Sequence, residues 1–135
     1  MKRAAAAILA FCLMAGGVAH AASILGSSLR VTIDGVTKAG GTLRIGLHDE
    51  ATFSEAGAMA LKSNDIANVA GDVSVEFARL PPGSYAVKAF QDLNNDGKWE
   101  RGEPQGISND APATDFEKAS VLLMPGVNML TVHLK

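Results

Sequence analysis

Acid or amide side chains stand at the first, third, fifth, ninth and twelfth places of the segment DLNNDGKWERGE, namely Asp92, Asn94, Asp96, Glu100 and Glu103, with Gly97 in the middle. A hard cation such as calcium takes about six to eight oxygen ligands at ~2.3–2.6 Å. Acids and amides at alternate positions of a curled loop can all point inward. Glycine at Gly97 allows the sharp turn that brings the next carbonyl, on Lys98, toward the ion. The pattern D-x-[DN]-x-[DN]-G followed by a late glutamate is complete here. The candidate metal ligands are therefore Asp92, Asn94, Asp96, the Lys98 carbonyl, Glu100 and Glu103, and calcium is the expected cofactor. The competing reading is a metal-free turn in which Asp and Asn side chains bond their own backbone.

The flanks decide what sort of loop this is. The preceding SYAVKAF alternates like a strand, and Pro104 follows Glu103 at once. Proline pushes the residue before it toward extended geometry, whereas an EF-hand glutamate starts a helix. The segment is read as a calcium loop mounted between strands, with Asp92, Asn94, Asp96 and Lys98 as its firm part. Whether Glu100 or Glu103 completes the shell stays open.

Other candidate chemistry is sparse. His48-Asp49-Glu50 could serve acid–base work, but His48 ends a strand pattern and reads as a solvated histidine. His133 falls on the polar face of the last strand, and with no cysteine beyond Cys12 a zinc site would lack its usual ligands. No serine sits in a G-x-S-x-G elbow. Glu100 and Glu103 form a carboxylate pair of the kind that cuts glycosides, yet a small sandwich offers little cleft for a sugar chain. A small hydrolase using His48 or Glu100 and Glu103 is the alternative to a non-enzymatic role. Trp99, the single tryptophan, reads as a packing plug for the loop, or else as an exposed platform for a ligand.

Positioning such a loop requires a frame, and the frame has period two. Leu29, Val31 and Ile33 alternate with polar residues, as do Leu43, Ile45 and Leu47, then Val73, Val75 and Phe77, and Tyr85, Val87 and Ala89. Ser120–Met124 is a short apolar strand, and Leu130, Val132 and Leu134 close the series. Short strands separated by Gly/Pro turns predict an all-β antiparallel sandwich of six to seven strands. One helix is predicted around Ser54 to Lys62, with Ser54 as its N-cap. Tyr85 follows the turn Pro81-Pro82-Gly83-Ser84 and is expected to begin a buried face, its hydroxyl on a backbone partner.

The front of the chain reads as an export signal. A basic start (Met1-Lys2-Arg3) leads into an apolar, small-residue run and then Ala19-His20-Ala21, the small-x-small pattern of a cleavage site. Residues 1–21 are assigned to the signal peptide and 22–135 to a single domain, periplasmic or secreted and without a membrane span. Cys12 falls in the signal, so disulfides and thiol nucleophiles are excluded. The mature chain keeps 10 basic against 14 acidic residues. It has no Lys/Arg cluster to meet phosphates, which argues against nucleic acid. Seven of those acids lie between Asp92 and Glu117, so the acidity is local.

The run LPPGSYAVKAFQDLNNDGKWERGEPQGISND resembles the periplasmic domain-of-unknown-function family 2141. Gly83, Tyr85, Ala86, Asp92, Asn94, Gly97, Lys98, Gly106, Ile107, Ser108 and Asn109 carry the likeness, which extends over most of residues 28–134. The resemblance implies a secreted β-sandwich of prealbumin-like, Greek-key type and brings no reaction with it. The segment between Trp99 and Gly106 is shorter and more acidic than the usual family pattern. In that respect it is similar to the calcium-loaded B-type repeats of bacterial surface adhesins. The expected role is a calcium-stabilised binding or structural module of the cell envelope, with an envelope protein or glycan as partner.

Overall fold

Leu29, Val31 and Ile33 turn the same way from β1 (Ser27–Asp34) and are buried, while Arg30 on the other side is exposed. Period-two patterning of this kind commits one face of a strand to a core. The computed structural model describes residues 26–55, 58–67, 69 and 71–135; the predicted signal peptide lies outside them. After β1 come β2 (Thr42–His48), helix α1 (Glu50–Ser54), β3 (Lys62–Ala67), β4 (Val73–Leu80) and β5 (Ser84–Asp92). They are followed by β6 (Gln105–Ile107), a 3-10 turn (Ser108–Asp110), helix α2 (Phe116–Ala119), β7 (Val121–Leu122) and β8 (Gly126–His133).

Two sheets result. One has the order β4-β1-β8 and the other β3-β2-β5-β6, with β7 alongside the start of β5. Leu43, Ile45, Leu47, Tyr85, Val87 and Ala89 of the second sheet meet Leu29, Val31, Ile33, Val75, Phe77 and Val132 of the first in one core. The protein is an all-β sandwich. Among the described residues every strand pair is antiparallel except one: β1 and β8 run parallel, Ser27 beside Gly126 and Asp34 beside His133. Tyr85 is buried as expected, and its hydroxyl donates to the Pro81 carbonyl at 2.7 Å.

Three elements differ from the sequence reading. The helix predicted over Ser54 to Lys62 lies earlier, at Glu50–Ser54, and its cap is Asp49, not Ser54. Asp49 accepts the Thr52 N–H at 2.9 Å while the Thr52 hydroxyl accepts the Asp49 N–H at 3.1 Å, a reciprocal box that fixes the first turn. Lys62 to Ala67 forms β3 instead, because β2 offers it an edge and pairs with it from Thr42 to Leu47. The apolar strand expected over Ser120–Met124 shrinks to Val121–Leu122; Ser120 caps α2, and Met124 turns back to Asn128.

The outer face of the second sheet is half covered. Phe53 of α1, Phe116 and Ala119 of α2, and Ala111 pack with Ala86 of β5 as a second small apolar cluster. The buried Ser108 hydroxyl ties this cover to the sheet, donating to the Ala119 carbonyl at 2.6 Å and accepting from the Val87 N–H at 3.0 Å. The rest of that face, toward β3 and the Asp92–Glu103 loop, stays open and holds a groove.

Candidate functional site

The acidic loop joins β5 to β6, strand to strand, as the flanking residues predicted. Asp92 is the last residue of β5 and is fully buried. Its Oδ2 accepts Arg44 Nε at 2.7 Å and the Gly97 N–H at 2.8 Å, and its Oδ1 accepts the Asp96 N–H at 3.3 Å. Arg44 stands opposite Phe90 on β2, so Asp92 is its diagonal cross-strand neighbour. Burial pushes the Asp92 carboxyl up, but the Arg44 hydrogen bond and charge and the two backbone donors hold it below the usual carboxylate range. Gly97 takes a φ of +82°, the left-handed turn that glycine supplies without strain.

Glu103 closes the other end. Its Oε2 accepts the Leu93 N–H at 2.7 Å and its Oε1 the Glu100 N–H at 2.8 Å. Both carboxylates at the ends of the loop, Asp92 and Glu103, are thus occupied in shaping it. Between them, Asn94 Nδ2 bonds Glu100 Oε1 at 2.8 Å and Asp96 Oδ2 at 3.4 Å, so two further acids converge on one amide. Asp96 Oδ1 also accepts the Lys98 N–H at 2.9 Å. The Asp96–Glu100 hydrogen bond raises the Glu100 carboxyl and lowers that of Asp96. Among the described residues no three His, Cys, Asp or Glu side chains form a tight cluster. The oxygen donors that lie together are Asp96 and Glu100 with Asn94, a hard set of the kind calcium takes.

Trp99 is not a buried plug. It is 45% exposed, although its indole N–H donates to the Glu103 carbonyl at 2.9 Å and so fixes it to the loop. It stands at the rim of the groove, which has a volume of about 580 Å³. The register arranges the floor in rows across β3, β2, β5 and β6. One row reads Asp65, Arg44, Phe90, Gln105, and the next Ser63, Gly46, Lys88, Ile107.

His48 departs from its expected solvated state. It is buried at the end of the groove, edge-on to Phe53 with ring centroids 6.3 Å apart, and its Nδ1 lies 3.2 Å from the Thr52 hydroxyl. Burial first, then the charge of Lys88, push its pKa below the ordinary histidine value. His133 is half-exposed and pairs with Asp34 at 2.6 Å, on the first sheet. The two histidines among the described residues thus lie on different sheets.

The profile of one protein family matches residues 31–130, a span that includes both sheets, the loop and the groove. Its description is "Uncharacterized protein conserved in bacteria (DUF2141)". The chain belongs to this family. No curated protein and no solved structure matches it.

Within this family member, two groups at the site escaped the sequence reading. Arg44 is the counter-charge of Asp92 and also bonds Asp65 at 3.1 Å, but it lies 48 residues from Asp92 along the chain. Lys88 was visible only as a polar residue on an alternating strand. Its Nζ donates to the Phe53 carbonyl at 2.8 Å and sits 4.3 Å from the Phe53 ring centroid, a placement set by α1 folding back over β5.

Proposed function

We propose that this chain is an exported, non-enzymatic binding module of the bacterial cell envelope, with the groove beside Trp99 as its ligand face and calcium stabilising the Asp92–Glu103 loop. The observation that carries the reading is the placing of Trp99. An aromatic ring left half-open at the rim of a concave, mixed polar and apolar surface is a recognition element. The same loop that presents the ring gathers Asp96, Glu100 and Asn94. Those three side chains and the Lys98 carbonyl would hold calcium; Asp92 and Glu103 shape the loop around them. A bound cation there neutralises two acids that otherwise share a hydrogen bond, and leaves the ring orientation fixed.

The hydrolase alternative finds less support. Both Glu103 oxygens accept backbone N–H groups, so the carboxylate has little freedom to pair with Glu100 across a substrate. His48 packs against Phe53, and burial together with the charge of Lys88 favours the neutral ring.

Two measurements test the proposal. Extracellular modules bind calcium at roughly 10⁻⁴–10⁻³ M, so millimolar calcium should add about 0.5–2 kcal/mol by mass action. Thermal unfolding will show this gain in the wild type, a smaller one with magnesium, and none in Asp96→Ala, whose calcium-free melting temperature stays almost unchanged. Identical melting of both proteins with and without calcium would reduce the loop to a turn. Export is checked by mass spectrometry of protein from the periplasm or medium: the chain should begin near Ala22. An intact 1–21 segment on membrane-held protein would refute that part.

A further inference from the structure

Lys88 is a half-buried cation without a carboxylate partner. All 14 Asp and Glu residues of the chain lie among the described residues, and none forms an ion pair with it. Arg44, the other cation on this face, is neutralised by Asp65 and Asp92. The ammonium has three donors, and the Phe53 carbonyl takes one. Burial keeps its pKa below the usual lysine range. A partly desolvated charge without a counter-charge is unfavourable, and an anion entering from solvent relieves it.

The sheet leaves room for that anion. Gly46 is the cross-strand neighbour of Lys88 on β2 and adds no side chain of its own beside the ammonium; His48 of the same strand does. The space directly over Gly46 is taken by Ala60 and His48, since a methyl added there would stand 3.0 Å from Ala60 Cβ and 3.1 Å from His48 Nε2; the anion's room is the open groove that Lys88 lines. Ser63 lies across Gly46 in the same row, and Asp65, Phe90 and Gln105 occupy the next. Glu55 also lines the groove, from its exposed rim.

We infer that the groove takes an acidic saccharide, its carboxylate on Lys88 Nζ, a ring face against Trp99, and hydroxyls toward Ser63, Asp65 and Gln105. The inference rests on the reading of the groove as the ligand face and names the class of ligand. A peptide strand is disfavoured there, because strand addition needs a free sheet edge. The free edges of the sheet lie at β3 and β6, whereas Lys88 stands on β5, which is paired on both sides. An amphipathic helix needs an apolar trough, and this floor carries Arg44, Asp65, Lys88 and Gln105. Half-open aromatic rings beside short polar groups suit a pyranose, which has an apolar face and a polar edge.

The sole tryptophan makes the test direct. The mature protein is titrated with a glucuronate-containing trisaccharide and, separately, with its carboxyl-reduced analogue, following Trp99 fluorescence and backbone amide shifts by NMR. The acidic probe should bind at least about tenfold more tightly, the scale of one charge-assisted hydrogen bond. Its shifts should centre on β2 and β5. Lys88→Met should erase the preference and Lys88→Arg restore most of it. Equal binding of the two probes would overturn the carboxylate assignment while leaving the groove as a ligand face. Failure of both probes to move Trp99 or the sheet amides would overturn the saccharide inference, and the groove reading would then stand or fall on Trp99→Ala against envelope extracts. A folded Lys88→Met protein that keeps the preference would also overturn the carboxylate assignment. Should that variant not fold, the wild-type preference and its loss of strength in Gln105→Ala decide the matter.

Discussion

Tyr85→Ala will lower the unfolding free energy by roughly 3 kcal/mol or more, the scale for a large aromatic removed from a core. The ring is buried in the main core, which also holds Leu47, Leu80, Val87 and Leu123, and β7 lies across the start of β5 at this residue. Its hydroxyl bond to Pro81 closes the Pro-Pro-Gly turn that leads into the strand. The alanine therefore leaves a cavity and also releases a turn. Tyr85→Phe separates the two parts, because it keeps the ring and deletes only a hydrogen bond worth about 1 kcal/mol. Urea unfolding of the three proteins checks the ordering. A loss below about 1 kcal/mol for Tyr85→Ala would mean that Tyr85 does not support the core.

Arg44→Ala will cost about 3 kcal/mol at neutral pH. Removing one partner of a buried pair leaves the other charge without compensation, and such changes cost about 3–5 kcal/mol. Asp92 lies just beneath the loop and keeps the Asp96 and Gly97 N–H donors, which places the effect at the low end. The exposed Asp65 contact adds little. The pH dependence has a definite sign. In the wild type the Asp92 pKa is depressed on folding. Its contribution is fully present above the unfolded value of about 3.9 and is lost as pH falls through the lower folded value. Without Arg44 the burial effect gains weight, and the folded carboxyl moves upward. The deficit of the variant should then narrow as pH falls from about 7 to about 3, because the folded carboxyl of the variant takes up its proton first and that of the wild type only at its lower folded value. Chemical denaturation at the two pH values measures it, and a deficit independent of pH would show that Arg44 acts by packing alone.

Strands whose apolar residues alternate without interruption were legible: β1, β2, β4, β5 and β8 each lie over their predicted segment. β3 was not, because KSNDIA carries one strong apolar residue, Ile66, and owes its strand form to the edge of β2. β6 has three residues, too few for any period, and is fixed by Phe90 and Lys88 across the sheet. The helix was misplaced because Ser54 and Asp49 are both capping types; the Asp49–Thr52 reciprocity decides between them, and that is a matter of three-dimensional geometry. At the site, composition showed which acids gather in the loop. It did not show that two of them, Asp92 and Glu103, are occupied by Arg44 and backbone N–H groups. Arg44, Lys88 and the Phe53 cover reach the site through sheet register and helix packing, to which a linear pattern is blind.

The parallel pairing of β1 with β8 imposes an order of events on biosynthesis. The two strands adjoin over eight matched positions, yet each matched pair is separated by 99 residues of chain. Whatever compartment receives the nascent polypeptide, β1 arrives first and the neighbour that flanks it arrives last. Through that interval one edge of β1 can hydrogen-bond only to water or to a foreign strand. Contacts of such sequence separation also slow folding, since loop closure precedes any gain from them. The geometry equally constrains rearrangement of the gene. Parallel neighbours put the start of β1 beside the start of β8, so joining the end of β8 to the start of β1 must span one strand length, about 26 Å at ~3.3 Å per residue. A circular permutant would need a linker of roughly eight extended residues to cross that distance.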